Sequence, residues 1–151
     1  MKRRSFLTII SFSISNLWGV DFRETKSEAW ASRKLNDAAM ELYGKEKFST
    51  LQKSSRVEIE ADKFIVPNAR QIPIGFKSDI DAKSIALFQT ANEQSLVAVF
   101  SIHKEMLIDY EVNIRMDMKG TVFVVVEGTD DKLYYTRQFI DVNEIRCMSG
   151  G

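Results

Sequence analysis

Glu111-Val112-Asn113-Ile114-Arg115-Met116 alternates apolar with polar or charged side chains without a slip. That period of two marks a strand with one face in a core and the other in water. The same period recurs on both sides of it. Val57 and Ile59 alternate with Glu58 and Glu60, Ile72, Ile74 and Phe76 alternate around Pro73 and Gly75, and Leu96, Ala98, Phe100 and Ile102 alternate in the next apolar run. Val122–Val126 and Leu133–Ile140 follow, and Ser84–Phe88 brings the strand candidates to seven. Pro67-Asn68, Ala91-Asn92-Glu93 and Gly128-Thr129-Asp130-Asp131 supply turn signals between them. Short strands so spaced predict an all-β fold, an immunoglobulin-like antiparallel β-sandwich of about seven strands. Pro73 has no N–H to give a ladder, so its strand is expected at a sheet edge. Val122–Val126 is apolar at every position, which predicts a central strand, or one whose outer face is covered by a helix or a partner subunit.

Ahead of the strands the period is helical. Ser27 is placed to cap a helix with Glu28 in its first turn, and Leu35, Ala39, Leu42 and Tyr43 follow as one apolar stripe ending at Gly44. Trp30 is expected to anchor the earlier turn. A short N-terminal helix is therefore expected to pack on the sandwich through this stripe. Lys45–Ser55 is polar apart from Phe48 and Leu51 and reads as a linker.

With 151 residues, 44% apolar and 28% charged, the chain has the means for one domain with a real core. Its 21 basic and 21 acidic side chains balance, and no basic block stands outside the first four positions. Nucleic acid and anionic membrane are therefore poor partners. Lys2, Arg3 and Arg4 stand just before an uncharged run from Phe6 to Val20, which is too short for a confident membrane span. That layout is an export signal. Arg3-Arg4-Ser5-Phe6-Leu7 resembles the twin-arginine type, with a plain secretory signal as the other reading. Either leads out of the cytoplasm to the periplasm, and its removal leaves a net charge of about −3. The expected division is residues 1–20 as signal, 21–55 as helix and linker, 56–143 as sandwich and 144–151 as tail.

The chemistry-bearing feature is that tail, Arg146-Cys147-Met148-Ser149-Gly150-Gly151, which holds the chain's one cysteine. A lone cysteine is often incidental. In an oxidising compartment, however, an exposed thiol invites mixed disulfides, and its presence there suggests use. On a glycine-ended terminus a thiol can visit more than one partner. Arg146 favours the thiolate, with Glu144 pulling the other way, and it is the candidate for steadying an anionic sulfur group. One cysteine and one histidine, His103, make no metal site of the usual kind, and no glycine loop for phosphate is present. His103 is expected in a surface loop. Asp79 with Asp81, and Asp130 with Asp131, are expected to bond their own backbone rather than a metal. No cofactor is expected.

Taken together these pieces resemble the SoxY family, the sulfur-carrier subunit of the bacterial thiosulfate-oxidising Sox system. The likeness runs through Glu28-Ala29-Trp30, Glu41-Leu42-Tyr43-Gly44, Ser84-Ile85-Ala86-Leu87, Val97-Ala98-Val99-Phe100-Ser101-Ile102, Asn113-Ile114-Arg115-Met116 and Lys132-Leu133-Tyr134. The family typically ends in Gly-Gly-Cys-Gly-Gly. Here Ile145 and Arg146 replace the leading glycines, and Met148-Ser149 separate Cys147 from Gly150-Gly151. The resemblance implies a carrier with no turnover of its own, bearing thiosulfate-derived sulfur on Cys147, with Gly150 and Gly151 as the remaining source of tail flexibility. It also implies a heterodimer with a SoxZ-like subunit, and transient docking to a Sox cytochrome and to a sulfate-releasing hydrolase. The other readings are a diverged carrier or assembly partner that no longer takes thiosulfate, and an exported immunoglobulin-like binding module.

Overall fold

Each of the seven strand candidates forms a strand, and a short eighth precedes them. The computed structural model describes residues 20–62 and 66–142. In chain order the strands are β1 Gln52–Lys53, β2 Val57–Glu60, β3 Ile72–Ser78, β4 Ala82–Gln89, β5 Leu96–Ser101, β6 Ile108–Ile114, β7 Gly120–Gly128 and β8 Leu133–Ile140. They form two sheets, one of five strands in the order β1-β8-β7-β4-β5 and one of three in the order β2-β3-β6. Every strand pairing is antiparallel except the short parallel pair Gln52↔Tyr134 and Lys53↔Tyr135. This is the expected immunoglobulin-like sandwich.

The inward side chains of the two sheets make one core. Ile72, Ile74 and Phe76 of β3 and Ile114 of β6 meet Ile85 and Leu87 of β4 and Val122, Val124 and Val126 of β7, all buried. Met116, just past β6, is fully buried in the same cluster, as its place in the alternation requires. Phe76 touches Phe100 and Tyr110, with ring centroids 6.0 and 5.8 Å away.

β7 is central, and its outer face is covered from the N-terminal side. The helical stretch is four short segments, α1 Phe22–Thr25, α2 Ser27–Ala31, α3 Leu35–Tyr43 and α4 Lys45–Phe48, where one helix was expected. The break at Ser32–Lys34 is held from outside, since Ser95 Oγ donates to the Arg33 carbonyl at 2.6 Å and Ser95 N–H donates to that of Ser32 at 3.2 Å. Ala29, Ala38, Ala39 and Leu42 press on Ala86, Phe88, Val125 and Leu133 in a second buried cluster. Ser27 is the first residue of α2 and makes no cap there; the side-chain cap is on α1, where Asp21 accepts from the Arg23 N–H at 2.9 Å. The stretch expected as a linker holds α4 and β1.

The edge expectation for Pro73 fails for the strand as a whole, because β3 is the middle strand of its sheet. The physical reason survives locally. Pro73 pairs with Asn113 on one side, while on the other β2 ends at Glu60, which pairs with Gly75. Pro73 therefore sits in a stretch of β3 that β2 does not reach, so no ladder on that side requires its N–H.

Gly44 joins α3 to α4 with φ +86° and ψ 152°, a combination essentially confined to glycine. A Cβ there would meet nothing within 4 Å, so the cost of adding one is purely conformational. Gly44→Ala is expected to lower the unfolding free energy by about 1–3 kcal/mol. Phe76→Ala, which empties the aromatic cluster, should cost about 3–5 kcal/mol. Denaturant unfolding checks both, and equal losses would contradict the two causes given.

Candidate functional site

Cys147, Arg146, Gly150 and Gly151 lie outside the described residues, as does the expected signal apart from Val20. What the structure places is the root of the tail. Ile140, the last residue of β8, is fully buried and pairs with Gly120, while Val142 is 4% exposed and bridges Val66 in parallel. The Val66 N–H donates to the Asp141 carbonyl at 2.9 Å. Val66, Ala69, Met116, Ile140 and Val142 all belong to the main core, and the Met116 N–H donates to the Ala69 carbonyl at 2.9 Å. The chain is thus clamped by both backbone and core down to Val142.

Gly120 allows this clamp to close. A Cβ there would lie 3.0 Å from both the Cβ and the N of Ala91, so glycine eases the close approach of the start of β7 to the β4–β5 turn. The turn itself is tied down by Asn92, whose amide donates to the Arg115 carbonyl at 2.9 Å and whose carbonyl oxygen accepts from Asp117 N–H at 2.8 Å.

Five peptide steps separate Val142 from Cys147, which sets a maximum reach of about 18 Å. That reach decides the case of His103. It is exposed in the turn after β5, at the end of the sandwich where β8 begins, whereas the tail root lies where β8 finishes. An eight-residue strand separates the two ends, about 25 Å. That separation is longer than the backbone span from Val142 to Cys147. The His103 N–H donates to Met106 Sδ at 3.4 Å in the same turn.

The expectation that the aspartate pairs bond their own backbone holds for Asp130, while Asp79 and Asp131 bond cationic side chains instead. Asp79 accepts from Arg56 Nε at 2.7 Å, and Asp130 accepts from the Tyr134 hydroxyl at 2.6 Å and from the Lys132 N–H at 3.2 Å. Among the described residues, no three His, Cys, Asp or Glu side chains converge as a metal site would require. No described helix is long and apolar enough to cross a membrane.

One polar cluster was not visible in the sequence. Lys47 of α4 bonds Glu127 at the end of β7, and Glu127 also accepts from Ser84 Oγ of β4 at 2.8 Å. Lys47 reaches Asp131 at 3.2 Å, and Lys83 meets the same carboxylate at 2.6 Å. The Tyr43 hydroxyl reaches this spot, buried, without completing a hydrogen bond. Burial first, and the Glu127 charge second, push its phenol far above the ordinary value. Residues 80 apart in the chain meet here, and no local pattern announces them. The cluster fastens the helices to the sheet.

The comparisons with known proteins bear on the tail. The family model described as sulfur oxidation protein SoxY matches residues 40–147 and so ends on the cysteine. The solved sulfur carrier protein SoxY from Chlorobium limicola f thiosulfatophilum superposes with a TM-score of 0.64 at 28% identity, over 73% of this chain and 96% of that one. A superoxide reductase (neelaredoxin) from Ignicoccus hospitalis reaches a TM-score of 0.52 at 12% identity, over 58% of this chain and 80% of its own. That likeness shows the fold alone. No curated protein matches the sequence.

The Lys47 cluster predicts how stability depends on pH. The bond to Glu127 raises the Lys47 pKa above its ordinary 10.5, so that contribution is complete below 10.5 and is lost as pH rises through the raised value. Lys83, then Lys47, lower the Asp131 pKa below 3.8, so its contribution is complete above 3.8 and is lost as pH falls through the lowered value. Lys47→Met should cost about 1–2 kcal/mol at neutral pH and should flatten both limbs of a stability–pH curve. An unchanged alkaline limb would contradict the assignment.

Proposed function

This chain belongs to the SoxY family of sulfur oxidation proteins, and from that membership we propose that it is a periplasmic sulfur carrier with Cys147 as the attachment point. Residues 1–20 act as the export signal, and residues 144–151 form the carrying tail. The observation that carries the reading is the family match running through to residue 147, the one cysteine of the chain. The printed role of the Chlorobium relative, a sulfur carrier, supports it.

The chemistry needs a thiolate, an oxidant and a hydrolase. The Cys147 thiolate and the outer sulfur of thiosulfate form an S–S bond as two electrons leave to a Sox cytochrome, giving a cysteine S-thiosulfonate. Water then cleaves the bond between that sulfur and the sulfonate group in a hydrolase, releasing sulfate and leaving a persulfide on Cys147. The carrier supplies the attachment point and its reach, and no catalytic group. Arg146 adjoins the thiolate and then the anionic adduct, and it favours both by charge. Arg146 and Met148 are bulkier than the glycines they replace, so the enzymes this tail enters must have channels wide enough for those side chains. A SoxZ-like subunit completes the carrier as a heterodimer.

Cys147→Ser is expected to leave unfolding free energy within about 0.5 kcal/mol, as for a surface change. Thiosulfate-dependent electron release in a mixture of carrier, cytochrome and hydrolase should fall to the carrier-free rate. Arg146→Gly should retain turnover. Full activity of Cys147→Ser would sink the proposal, and would favour the binding-module reading.

A further inference from the structure

The chain enters the fold beside an edge strand. Val20, the first described residue, is exposed, and it lines a groove of about 490 Å³ together with Phe22, Trp30 and Val97–Val99. Val97–Val99 lie in the middle of β5, which among the described residues pairs with β4 on one side only. Along Leu96–Ser101 β5 carries no charge and no proline, the usual devices by which an edge refuses a further strand. Beside it Ala98, Phe100 and Tyr110 are only half-buried. Phe100 and Tyr110 stack with centroids 6.2 Å apart and planes 8° from parallel, so an aromatic pair of the core borders solvent.

The residues just ahead of Val20 carry a strand pattern of their own. Ile10-Ser11-Phe12-Ser13-Ile14-Ser15 alternates apolar side chains with serine and holds no charge and no proline. An export signal needs an apolar run but no alternation, so the period of two asks for a second cause. These six residues match the six of β5 in length, about 20 Å of strand. Five peptide steps from Val20 to Ser15 span at most about 18 Å, enough to meet either end of β5 from its middle.

We infer that, until the signal is cut, residues 10–15 lie along β5 as an added strand, with Ile10, Phe12 and Ile14 on the Phe100–Tyr110 seam and the serines on the other face. This rests on the twin-arginine form of the export reading, in which the chain folds before it crosses. The occupant is this segment because Val20 tethers it at the edge, and closing a short loop costs less than bringing in a second chain. Lys2–Leu7 stays outside the pairing, so Arg3 and Arg4 remain open to the export machinery. The segment shields an edge that invites strand addition while the chain is still in the cytoplasm. Cleavage then removes the cover, and the edge and its seam become free only after export.

Amide exchange tests this by comparing the full 151-residue chain with the processed protein taken from the periplasm. Val97–Ser101 should exchange at least about tenfold more slowly in the full chain. The double change Phe12→Ser and Ile14→Ser, made in the full chain, should restore the processed rate. Equal exchange in the two forms would overturn the inference and leave the export reading intact, and slow exchange that survives the double change would do the same. Protection that grows with protein concentration reports pairing between chains and would overturn the choice of occupant. A periplasmic protein that retains residues 1–20, read by intact mass, would overturn the export reading and the release step with it.

Discussion

Val122–Val126 presents apolar side chains to both faces of its sheet, and a sheet that is apolar on both faces must be covered twice. The rest of the architecture answers this constraint. The three-stranded sheet covers the inner face through Ile72, Ile74, Phe76 and Ile114. The outer face is covered by alanines, Ala29, Ala38 and Ala39, which let helices too short to be stable alone lie close against Phe88, Val125 and Leu133. The bond from Lys47 to Glu127 ties α4 to the sheet, where Ser84 holds the same carboxylate. Covering β7 in this way uses the helices on the middle of the sheet and leaves the β5 edge open.

The same framework sets what a terminal thiol can do. The core holds the chain as far as Val142, and on the reading proposed above the cysteine five residues later would work from that fixed origin. A carrier needs both properties: a body that does not move, for partners to recognise, and a short arm whose reach matches their channels. The origin lies at the opposite end of the sandwich from His103 and the turn carrying Asp130 and Asp131.

Strands were legible wherever one face meets core and the other water. Val112, Ile114 and Met116 against Glu111, Asn113 and Arg115 is such a case, and the burial pattern repeats the sequence pattern residue for residue. β1 was not legible because Gln52 and Lys53 are both exposed and are held by backbone pairing with Tyr134 and Tyr135 alone. The helix break at Ser32–Lys34 carries no glycine or proline and is imposed by Ser95, more than sixty residues away. Pro73 misled because its rule concerns a single missing N–H, and Pro73 lies beyond the end of a short neighbour within a central strand. The cysteine was legible as a residue type. The attachment role proposed for it rests on family resemblance, because period and spacing say nothing of what a thiol carries.

The most direct test of the central claim is the intact mass of the mature protein taken from cells growing on thiosulfate, measured without reductant and again after reduction. A carrier shows additions of thiosulfonate or persulfide sulfur that reduction removes and that Cys147→Ser lacks. A single unmodified mass in both measurements would contradict the claim that Cys147 carries sulfur.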